Sequence, residues 1–90
     1  MAQDQAGKLR LVMSLMKFIR DWHYAFCYTN HKGVTADRRI RFLALEHGTG
    51  GGDDTEPQFF VRGVDLQQNA LRSFAISRIN PLTVRRLHGG

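Results

Sequence analysis

The spacing of apolar residues changes once along this chain, near Asp21, and that change limits the fold more than any other feature. Before it, Leu9, Val12, Met13, Met16 and Ile19 recur at intervals of three and four, which predicts an amphipathic helix from Lys8 to about Asp21. Leu11, Leu15 and Phe18 widen its apolar side and push Lys8, Arg10, Lys17 and Arg20 toward the margins. After the change, Trp22, Tyr24, Phe26 and Tyr28 alternate with His23, Ala25 and Cys27, the period of a strand, and the aromatic enrichment agrees. The helix reads as the cover of a small sheet in preference to a membrane-surface helix.

The period of two persists to the end of the chain. "TNHKG" reads as a turn, with Gly33 available for a positive φ. "ADRRIRFLALEH" reads as a second strand whose apolar character crosses from one face to the other, which predicts a bend or bulge near Phe42. "GTGGGDDTEP" reads as a mobile, dispensable connection over Gly48–Glu56. It lacks the Gly-Lys-Ser/Thr and helix of a phosphate-binding loop, and its acids repel phosphate. "QFFVRGVD" and "ALRSFAISRI" read as the third and fourth strands, the fourth ending beside Pro81, and "LTVRRLH" as a short fifth. The predicted organisation is a disordered lead-in over residues 1–7, one domain over 8–84 and a flexible tail over 85–90. The predicted class is mainly β, a small antiparallel barrel with a helical cap.

Ninety residues suffice for one modest core. A single cysteine, Cys27, forms no internal disulfide, and the apolar run "LVMSLM" is too short for a signal sequence or a membrane span. The expectation is a cytoplasmic protein without membrane attachment. The net charge of +5 favours an anionic partner, and it is unevenly spread: Arg38, Arg39 and Arg41 cluster in one place, Asp53, Asp54 and Glu56 in another.

Catalytic and metal-binding patterns are absent. His23, His31, His47 and His88 are dispersed, with no pair at metal-ligand spacing, and Cys27 sits mid-strand among aromatics. Neither an enzyme nor a cofactor is expected.

"FCYTNHKG", "RRIRFLAL" and "EPQFFVRGVDLQQNALRSFAISRI", in that order over residues 20–80, resemble the motif order of WYL domains. Those domains carry a helix, a strand ending in an aromatic-x-Tyr, an Arg-rich strand, the Trp-Tyr-Leu strand and a strand of the form R-x-F-x-L-x-R-I. "YTNHKGVTA" and "EPQ" are most similar to short single-domain members of that family. Phe59, Phe60 and Val61 stand at the naming tripeptide, and Phe42 stands where the family often has proline. The helix-turn-helix that commonly precedes the domain has no counterpart in this sequence.

The resemblance implies an Sm-like five-stranded β-barrel that senses nucleotide-like or nucleic-acid ligands. Carried over by position, the ligand-binding residues are Tyr28, Arg41, Arg72 and Arg78. Phe74 and Ile76 fill the core, while Arg72 and Arg78, at the ends of the same stripe, reach its rim. Arginine suits bidentate phosphate contact and tyrosine suits base stacking. A structural role stands beside this one, in which Arg78 pairs with Asp21 or Asp65 and pins the helix. Arg38 and Arg39 read as a solvated face. Two functions follow: a regulatory module that recognises nucleotides or short single strands, or a protein-interaction module that recruits a partner or forms a homodimer.

Overall fold

The computed structural model describes residues 2–49 and 56–88, with side chains from residue 6 onward. Helix α1 (Ala2–Met16) precedes five strands: β1 (His23–Thr29), β2 (Thr35–Gly48), β3 (Gln58–Asp65), β4 (Ala70–Ala75) and β5 (Arg85–Arg86). All are antiparallel in one sheet of order β4-β3-β2-β1-β5. The mainly β architecture with an N-terminal helix matches the sequence expectation. No ladder joins β4 to β5 among the described residues, so the sheet is open rather than a closed barrel.

The sheet is nevertheless strongly bent. In a flat sheet β1 and β4, three places apart, would lie about 14 Å from each other. Instead the Phe74 ring on β4 meets Phe26 and Tyr28 of β1 edge-on, with centroids 5.4 and 5.1 Å away. Two local features permit the bend. The β2–β3 register shifts between Phe42 and Ala44, the bulge expected near Phe42, and the extra residue brings Leu45 against the core. Opposite Phe42, Gly63 lies so close to β2 that a Cβ would stand 2.7 Å from the Arg41 carbonyl oxygen and 3.2 Å from Ile40 Cδ1.

The core within this curve contains Tyr24, Phe26, Ile40, Phe42, Val61, Phe74, Ile76 and Ile79, closed off by Val12 and Met16 of α1. The helix stops earlier than its periodicity predicts. Lys17 and Phe18 adopt φ of 61° and 49°, costing about 1–2 kcal/mol each, and this turn lays the Phe18 ring flat on Phe42 at 5.2 Å. At the other end, the helix begins at Ala2 and takes in residues expected to form a loose lead-in.

The fourth strand is also shorter than expected. It ends at Ala75, whose N–H donates to the Tyr28 hydroxyl at 3.0 Å. A 3-10 turn (Ile76–Arg78) follows, then a bridge between Ile79 and Tyr28. Ile76 stays buried, but Arg78 no longer continues the Arg72–Phe74 stripe. A second 3-10 turn starts at Pro81, where the missing N–H is no loss, and leads into β5. Arg85 and Arg86 lie past the expected domain boundary at residue 84 but within the expected fifth strand "LTVRRLH", and they pair with Ala25 and Tyr24. Most of the predicted mobile connection, residues 50–55, lies outside the described residues. Among the described residues, no helix is long and apolar enough to cross a membrane.

Gly63→Ala is expected to force β2 and β3 apart and to cost about 1–3 kcal/mol, read as a lower denaturation midpoint in urea. Tyr24 is fully buried, and burial pushes its phenol above the ordinary value, against smaller opposing effects from the Ile19 backbone and Arg86. The folded chain therefore keeps this proton where the unfolded chain loses it, and stability falls as pH rises through about 10. Tyr24→Phe should flatten that alkaline decline in pH-dependent denaturation.

Candidate anion-binding face

Cross-strand partners share a face of the sheet. One row runs Tyr24, Ile40, Asp65, Ala70, and the next runs Phe42, Gly63, Arg72; Phe26 stands opposite Arg38. Arg38 and Arg72 therefore lie on the inner face, with the core aromatics. Arg41 pairs with His23 and Val64 in the alternate rows, so it lies on the outer face.

The two inner arginines converge on one acid. Asp65 is fully buried, and its Oδ2 lies 3.7 Å from Arg38 Nη1 and 3.6 Å from Arg72 Nε. Its Oδ1 accepts hydrogen bonds from the backbone N–H groups of Gln67 (2.9 Å) and Gln68 (3.2 Å), which shape the β3–β4 turn. Arg72 Nη2 donates to Gln68 Oε1 at 2.7 Å. Two cations share one buried anion, leaving a surplus charge of +1 beside Phe26 and Phe74.

Of the four residues named from sequence, Arg72 lies in this cluster. Tyr28 adjoins it through its ring contact with Phe74, and its hydroxyl serves the fold by accepting from Ala75. Arg78 sits past the end of β4 and donates to the Asn30 carbonyl at 3.1 Å. There it lines an open cleft with Lys8, Thr29 and Asn80. Arg41 is separate: its Nη1 pairs with Asp21 Oδ1 at 2.6 Å. Of the acids considered for Arg78, Asp21 holds Arg41, and Asp65 holds Arg38 and Arg72.

Arg38 is the residue the sequence reading missed. Expected on a solvated face, its side chain is only 23% exposed. The available signal was its position: it alternates with Ile40 and Phe42, and so belongs to their face. Arg39, by contrast, is exposed near Asp37, which also holds Arg85 Nη2 at 3.0 Å.

A cavity of about 210 Å³ between α1 and the ends of β2 and β3 is lined by Leu9, His47, Phe59 and Ile76 among others, and contains none of the four predicted residues. Arg86 lies over the Trp22 ring at 3.3 Å, a cation–π contact at the other edge of the sheet. Comparison with protein-family models and with curated proteins gives no match.

Replacing Arg38 and Arg72 together with Met should leave the Asp65 carboxylate buried without a cation and cost roughly 3–5 kcal/mol. Arg72→Met alone should cost much less, because Arg38 remains. Chemical denaturation of the single and double variants measures the difference.

Proposed function

We propose that this chain is a regulatory ligand-binding module of the WYL-like kind, built on an Sm-like barrel left open between β4 and β5, that recognises nucleotide-like ligands or short single-stranded nucleic acid. The observation that carries the reading is the inner-face cluster: Arg38 and Arg72 share a single acid, next to aromatic rings on β1 and β4. Guanidinium groups bind phosphate oxygens in a planar fork, and the half-buried Tyr28 ring, packed on Phe74, offers the stacking surface beside them. The helix followed by five antiparallel strands, with β1 and β4 meeting across the bend, supports the barrel half of the proposal. Arg78 and Lys8 line the cleft beyond β4. Arg41 is left out of the site because it faces the other way and is paired with Asp21.

A protein-interaction or self-association module is the second reading, favoured by the apolar residues that α1 leaves uncovered. Leu11, Met13 and Leu15 are 41%, 44% and 41% exposed.

Fluorescence anisotropy with a labelled short single strand tests the first reading. The chain should bind with a clear salt dependence, and Arg72→Met should weaken binding by about 1–3 kcal/mol and make the salt slope shallower. Arg41→Met should leave binding nearly unchanged. A stable dimer in sedimentation equilibrium, with no oligonucleotide binding at any salt concentration, would favour the second reading instead.

A further inference from the structure

The buried carboxylate at the base of the arginine pair has more to do than shape a turn. Asp65 Oδ1 is committed to the backbone of the β3–β4 turn, but Oδ2 has no hydrogen-bond partner among the described residues. The guanidinium nitrogens stand 3.6 and 3.7 Å from it, at ion-pair distance but beyond hydrogen-bond length. Arg38 Nε is likewise buried without a partner. Asp65 thus gathers two cations at one point without closing on either. Their side chains remain 23% and 46% exposed, so a ligand can reach them from solvent.

The charge at this point is what a ligand must match. Two arginines and one aspartate sum to +1. A phosphodiester linkage carries a single negative charge and neutralises that sum. A terminal phosphate monoester carries about −1.5 to −2 charges near neutral pH and leaves an excess of negative charge beside a buried carboxylate. Away from bulk water such a mismatch is penalised more heavily than in it.

We infer that Asp65 is a specificity-determining residue, selecting internal phosphodiester linkages over terminal phosphates. This rests on the nucleic-acid reading above and goes beyond it by naming which phosphate is taken and which residue decides. Asp65 acts through the charge it places behind Arg38 and Arg72, without touching the ligand.

The test compares a short oligothymidine bearing a 5′-hydroxyl with the same strand bearing a 5′-phosphate. Affinities are measured at one fixed salt concentration near neutral pH. The unaltered chain should bind the two equally or prefer the hydroxyl strand. Asp65→Asn keeps an Oδ1 acceptor for the turn and raises the local charge to +2. It should move the preference toward the 5′-phosphate strand by on the order of tenfold, equivalent to about 1.4 kcal/mol. Should that variant fail to fold in a thermal melt, Gln68→Lys adds a positive charge beside Arg72 on the exposed turn, leaves Asp65 in place, and should move the preference the same way. A several-fold preference of the unaltered chain for the 5′-phosphate strand would overturn the inference. So would a folded Asp65→Asn or Gln68→Lys variant with an unchanged preference; in either case the nucleic-acid reading would survive. Absence of binding to both strands would remove that reading and this inference together.

Discussion

The contact of Phe74 with Phe26 and Tyr28 is the constraint on which the rest of this structure depends. It joins strands that two other strands separate, so it exists only because the sheet bends back on itself. Once that contact forms, the inner faces of β1 and β4 become opposite walls of one core. The Tyr28 hydroxyl can then take the Ala75 N–H, and the chain must leave β4 there. The 3-10 turn, the Ile79 bridge and the route to β5 all follow. Gly63 and the bulge after Phe42 are the local conditions for the bend, because a side chain at Gly63 would hold β3 off the Arg41 carbonyl.

The strand register organises the charge. Here Arg38 and Arg72, on strands flanking β3, reach inward to the same carboxylate from either side. A buried ion cluster is a weak source of stability, because desolvation offsets most of the Coulomb attraction. Its stronger consequence is positional: it brings two guanidiniums to one point and sets their combined charge. The outer face is arranged differently. There Arg41, Arg62 and Arg85 each lie within 4.0 Å of an acid that is itself substantially exposed, where solvent screens the interaction.

Residue types and their spacing were enough to foresee a helix followed by five strands, the bulge near Phe42, the boundaries of β3 and the burial of Phe74 and Ile76. These are local matters, because a period of two or of three to four residues decides which side chains can be buried together. Spacing also placed Arg72 beside the core aromatics. Where the helix stops and where β4 ends were decided by contacts between distant segments. Phe18 leaves the helix to stack on Phe42, and Ala75 leaves the ladder for Tyr28, and neither partner is visible from local periodicity. The same holds for the grouping of the basic residues. Arg41 and Arg72 are equivalent in composition, but the register sends one to Asp21 on the outside and the other to Asp65 within. Arg38, adjacent to exposed Arg39, shares the face of Ile40 and Phe42, but only tertiary pairing brings a buried aspartate, opposite Ile40 on β3, within its reach. Sequence determines which faces a strand has, whereas which charges share a face, and which acid holds them, depends on how the strands are brought together.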